Sequence, residues 1–105
     1  MKQRYDYDIV VESPLGERRG TLTVEETGSA ISGSLSLLGF ENHVAGKREG
    51  HMLYLHHRLR TLFNQLTCLS ELRLQGDSLF GTIRSEFGSM KVRGEKTAGM
   101  EHTTA

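Results

Sequence analysis

Apolar and polar residues alternate along most of this chain with a period of two. Tyr5, Tyr7, Ile9 and Val11 share one parity, and Arg4, Asp6 and Asp8 take the other. Leu22 and Val24 alternate with Thr21, Thr23 and Glu25, and Ile31, Leu35 and Leu37 with Ser32, Ser34 and Ser36. Further on, Leu53, Leu55 and Leu59 share a face with His57, while Leu66, Cys68, Leu72 and Leu74 share one with Ser70. Leu79 and Ile83 alternate with Thr82 and Arg84, and Met90 and Val92 with Lys91 and Arg93. Successive side chains of a strand point to opposite faces, so the pattern predicts strands buried on one side only. No stretch carries a 3.6-residue stripe. Leu59–Leu69 comes nearest and has room for one helical turn.

Glycine, proline and small polar residues interrupt the alternation at regular intervals. Turns are predicted at Ser13–Gly16, Glu26–Ser29, Leu38–Phe40, Glu49–His51, Thr61–Asn64, Gln75–Ser78 and Phe87–Ser89. They divide the chain into eight short segments, the spacing of an antiparallel meander, sandwich or barrel.

The chain also repeats itself. Gly28 and Gly76, Gly33 and Gly81, and Gly46 and Gly94 are each 48 positions apart, as are Ile31 and Leu79, Leu35 and Ile83, and Val44 and Val92. Gly39 and Gly88 show a slip of one at a turn. The offset is even and so preserves face: positions 5, 7, 9 and 11 map onto 53, 55, 57 and 59, and both sets are the apolar set. A four-strand unit is therefore used twice. Closing eight strands removes the exposed edges that an open sheet would leave. The expected fold is all-β: an eight-stranded antiparallel up-and-down β-barrel built from two four-strand repeats. Residues 1–96 form its single domain, and 97–105, small and polar, form a flexible tail.

Over roughly residues 3–96 this arrangement resembles the calycin-like group of small meander barrels, which includes lipocalins, fatty-acid-binding proteins and avidins. The resemblance is one of architecture. The chain has no tryptophan, so it lacks both the lipocalin Gly-x-Trp signature and the stacking tryptophans of avidins. No helical pair is present in the sequence to make a fatty-acid-binding lid. The glycine-turn pattern is also similar to that of small uncharacterised bacterial proteins.

Composition narrows the function classes. Thirteen basic residues balance thirteen acidic ones in 105 residues. A zero net charge gives no general attraction to nucleic acid or an anionic membrane, and it leaves self-association unopposed. The N-terminus lacks an apolar leader and no apolar run reaches membrane-spanning length, so a cytoplasmic protein is expected. Cys68 is the single cysteine and excludes an intrachain disulfide.

Candidate chemistry lies on the inner face. Tyr5, Tyr7, His57, Cys68 and Ser70 put polar atoms among aliphatic ones. His57 and Ser70 stand where the first repeat has Ile9 and Leu22. A buried histidine needs a hydrogen-bond partner, and in a pocket it can orient a mostly apolar ligand. Gly20, Gly33, Gly46, Gly81 and Gly94 also face inward, either to let strands bend closely or to leave room for that ligand. A His57–Cys68 nucleophile pair lacks any marked orienting group, and no catalytic residue is assigned. Asp6 and Asp8 read as surface pairing with Arg4. The five histidines, His43, His51, His56, His57 and His102, show no ligand spacing, so neither metal nor cofactor is expected. Lys47, Arg48, His56, Arg58 and Arg60 are expected on the outer face beside Tyr54 as a solvated basic patch. Val10, Leu38, Phe40, Met52, Tyr54, Leu69 and Phe80 are expected outside or at turns.

The expected function is non-enzymatic: a barrel that holds a small, mostly apolar molecule, with His57, Tyr5, Tyr7, Ser70 and Cys68 lining the site. The alternative is a filled barrel acting as a homo-oligomer through its outer apolar patch.

Overall fold

The computed structural model describes residues 2–61 and 64–97. Eight strands follow in chain order: β1 (Lys2–Ser13), β2 (Gly16–Thr27), β3 (Ala30–Leu37), β4 (Phe40–Glu49), β5 (Met52–Arg60), β6 (Gln65–Gln75), β7 (Ser78–Ser85) and β8 (Gly88–Lys96). Each pairs antiparallel with the next, and β8 pairs with β1 to close an up-and-down barrel. Gln65 onward is strand, so the helical turn allowed for Leu59–Leu69 does not form within it. Of the expected tail, 97–105, residues 98 onward, His102 among them, lie outside the described residues. Thr97 still donates its backbone N–H to Asp6 O at 2.9 Å.

The inward parity is the apolar one on every strand. Tyr7, Ile9, Val11, Leu22, Val24, Ile31, Leu35, Val44, Leu53, Leu55, Leu59, Leu72, Leu79, Ile83 and Val92 are buried together. This continuous core joins all eight strands and is the main source of stability.

The repeat carries through to the pairing. Tyr7 faces Leu22 across β1–β2, and Leu55 faces Ser70 across β5–β6, 48 residues on. Gly33 faces Val44, as Gly81 faces Val92. The two junctions between the halves differ. Val44 pairs with His57 in the middle of the chain, while Val92, its repeat mate, pairs with Val11 rather than Ile9. The closing seam is thus shifted by two residues, the smallest slip that keeps the apolar face inward.

Inward glycines occur where strands crowd together. A Cβ on Gly33 would lie 1.9 Å from Thr23 O, and one on Gly81 would lie 1.9 Å from Glu71 O. The neighbouring backbone occupies the space that a side chain would need. These glycines bend the wall of a narrow barrel and leave no room for a ligand.

The two ends of the barrel are built differently. At one end lie the turns after β2, β4 and β6. There the inward Glu26 and Arg48 form an ion pair at 3.1 Å, and Arg48 Nε also donates to Gly50 O. Lys96 sits 4.6 Å above the Tyr5 ring. The expectation that Arg48 joins an outer basic patch is therefore corrected: its even parity matches Val44 and turns it inward. At the other end lie the turns after β1, β3, β5 and β7, and these carry the exposed Leu15, Leu38 and Phe87.

Candidate functional site

The inward polar residues divide into two groups. Tyr5 and Tyr7 belong to the ion-paired end. The Tyr5 hydroxyl donates to Gln3 Oε1. Burial pushes the Tyr7 hydroxyl above its ordinary range, and neighbouring Tyr5 adds to the rise. His57, Cys68 and Ser70 lie together near mid-barrel on β5 and β6. Neither the central void nor the cup at the barrel mouth, both described below, is lined by all five.

Ser70 Oγ donates to His57 Nε2 at 2.7 Å. His57 Nδ1 lies 3.3 Å from Arg58 O, a carbonyl that can only accept, so the proton resides on Nδ1. Burial lowers the histidine's pKa, only partly opposed by the Arg58 carbonyl, and keeps the ring neutral. Both ring nitrogens are thereby satisfied. The pair faces Ile9 and Leu22, its repeat mates, across a central void of about 10 Å3. That is about one water probe in volume. Side chains otherwise fill the barrel at this level.

Cys68 faces His57 across the ladder, but its thiol points to Leu66 O at 3.9 Å, and His57 bonds Ser70 instead. Burial, reinforced by Glu86, raises the thiol pKa to about 11. A protonated thiol is a poor nucleophile. The Ser70–His57 contact has the atoms of a nucleophile and a base, but a backbone carbonyl stands where a triad places a carboxylate. Neither side chain opens onto space for a substrate. Among the described residues, no three His, Cys, Asp or Glu side chains converge to hold a metal ion.

A larger concavity opens at the barrel mouth, a cup of about 550 Å3. Val11, Leu37 and Leu59 are buried and form its floor; Leu66 and Met90 line it from β6 and β8, and Pro14, Leu15 and Leu38 from the turns. This falls within the usual range for small-molecule sites. Leu38 is unusual twice over. Its φ is 57°, in the left-handed region, and it is 40% exposed. A left-handed conformation costs a non-glycine residue about 1–2 kcal/mol, and bulky residues so held cluster at functional sites. Leu15 and Phe87, at the tips of the β1–β2 and β7–β8 turns, are 83% and 76% exposed. These apolar residues therefore concentrate at one end. On the outer wall, Leu69 and Phe80 are exposed as expected, whereas Val10, Phe40, Met52 and Tyr54 are half-buried.

Two mouth residues escaped the reading by strand parity. Asn42 is buried where β4 and β5 diverge beyond their last pair, Val44 with His57. Its side chain replaces the missing ladder: Nδ2 donates to Leu35 O at 3.1 Å, and Oδ1 accepts from Arg60 N at 3.0 Å. Arg18 faces Val11 on the inner side of β2 and reaches the cup. Both interrupt an apolar face with a polar residue, the same signal that singled out His57.

Comparison with known protein families, curated proteins and solved structures finds no match.

Proposed function

We propose that the protein is a non-enzymatic binding module that takes a small, mostly apolar ligand in the cup at the barrel mouth. The observation that carries this reading is the cup itself, floored by Val11, Leu37 and Leu59 and edged by a strained, solvent-facing Leu38. An exposed leucine in a left-handed turn contributes little to stability, so its presence favours a use at the surface. The ligand class is the one expected from the inner-face pattern, moved from the level of His57 to the mouth. The His57–Ser70 pair then stiffens the wall beneath the site and does not touch the ligand. Kinship with the calycin-like barrels rests on architecture alone.

Decan-1-ol titrated into 15N- and methyl-labelled protein tests this reading. Shifts centred on Leu15, Leu38, Leu59 and Met90 are expected. An unperturbed spectrum, or shifts confined to the ion-paired end, would refute it.

Leu15 and Phe87 support a second reading. They project beyond the cup and could seal it against a second copy, making the protein a filled-core homo-oligomer. Multi-angle light scattering tests this directly: a dimer that Leu15→Ser and Phe87→Ser disperse supports it, and a strict monomer at high concentration removes it.

A further inference from the structure

We propose that the ligand of the mouth cup is a small apolar carboxylic acid, with Arg18 receiving the carboxylate. The proposal rests on the reading of the mouth as a ligand site and adds its chemical class. Among the described residues, three inward-facing cations occupy the barrel ends. Arg48 is paired with Glu26, and Lys96 lies 3.9 Å from Asp77 and over the Tyr5 ring. Arg18, at the mouth, has no carboxylate partner among the described residues. Among the described residues its only hydrogen bond is from Nη1 to the backbone carbonyl of Glu17 at 3.1 Å, which leaves its other donors available.

The nearby acids are engaged elsewhere. Arg93, on the outer wall, binds Glu12 Oε2 at 3.2 Å and Glu17 Oε2 at 3.0 Å. The other polar side chains of the cup are also occupied. Ser13 Oγ accepts from Leu15 N and donates to Gly16 O, and Thr61 Oγ1 closes its own turn with Asn64. What the mouth offers a ligand is therefore an apolar bowl lined by one half-buried arginine. A planar fork of donors matches a carboxylate in shape as well as charge. An apolar body with a single acid group complements both parts, whereas a neutral apolar molecule uses only one.

Calorimetric titration of decanoate and decan-1-ol, each below its aggregation concentration and at neutral pH, tests the proposal. Decanoate should bind about tenfold or more tightly than the alcohol, the contribution expected of hydrogen bonds to a charged group. Arg18→Gln should bring decanoate down to the level of the alcohol while leaving the alcohol unchanged, and Arg18→Lys should restore part of the preference. Added salt should weaken decanoate alone. If decan-1-ol binds in the cup and decanoate binds no better, or if Arg18→Gln leaves the ratio intact, the role of Arg18 is wrong while the mouth site stands. If neither binds, both are wrong.

Discussion

Replacing Ser70 by alanine tests how the barrel tolerates a histidine at its centre. Ser70 Oγ is the partner of His57 Nε2 at 2.7 Å, and both residues are buried. Its loss leaves a buried acceptor unsatisfied, which costs about 1–3 kcal/mol. The adjoining void of about 10 Å3, enlarged by the missing hydroxyl, admits one water and places the outcome nearer the lower value. His57→Leu should cost a similar amount by stranding the Ser70 hydroxyl. The double variant His57→Leu/Ser70→Ala removes both polar groups and should recover most of the loss, with a coupling energy of about 1–2 kcal/mol. Urea denaturation measures this. With m of about 1–3 kcal/mol/M, a loss of about 1 kcal/mol in each single variant should lower the midpoint by roughly 0.3–1 M at unchanged m. The pH dependence supplies a second readout. His57 is neutral when folded and its pKa is lowered from 6.5, so below pH 6.5 the unfolded chain binds the extra proton. Stability therefore falls as pH drops from 6.5 toward the folded-state value, and this contribution levels off below it. The double variant should lose that part of the slope. Strictly additive single effects, or an unchanged pH slope in the double variant, would refute the reasoning.

Three further substitutions probe the wall and the mouth. Gly81→Ala places a methyl group 1.9 Å from Glu71 O and should cost about 3 kcal/mol or more; in the same urea assay Gly39→Ala, with open space around it but a φ of 82°, should cost about 1–2 kcal/mol. Leu38→Asn should raise the urea midpoint by relieving about 1 kcal/mol of backbone strain and should weaken decan-1-ol binding severalfold in the NMR titration. A variant that gained stability with unchanged affinity would separate the strained turn from the site.

The site was less legible than the fold because parity tells which way a side chain points, not what waits there. His57 and Ser70 stood out in the sequence because each breaks an aliphatic position of the repeat, and the structure brings them together at 2.7 Å. Tyr5 and Tyr7 share the inward parity with them but lie toward the other end of the barrel, a separation along the axis that parity cannot express. Arg18 carries the same signal as His57, a polar residue on the inward parity of β2. Glu12 and Glu17, its near neighbours in sequence, do not pair with it. Only the closing of β8 onto β1 brings Arg93 to those two acids.

By itself the sequence determined the strands, their inward faces, the order of the turns and the two-fold use of a four-strand unit. These follow from local alternation, from glycine at tight turns, and from an even offset that keeps every side chain on its own face. Closure decided the rest. The seam between β8 and β1 is shifted by two residues from the matching junction between β4 and β5, a slip that parity permits and only the curvature of the whole sheet selects. That same closure packs backbone against Gly33 and Gly81, fills the centre around His57, joins Glu26 to Arg48 at one end, and leaves an apolar mouth with Arg18 at the other. Each is a contact between strands distant along the chain, so it exists only once the barrel is complete.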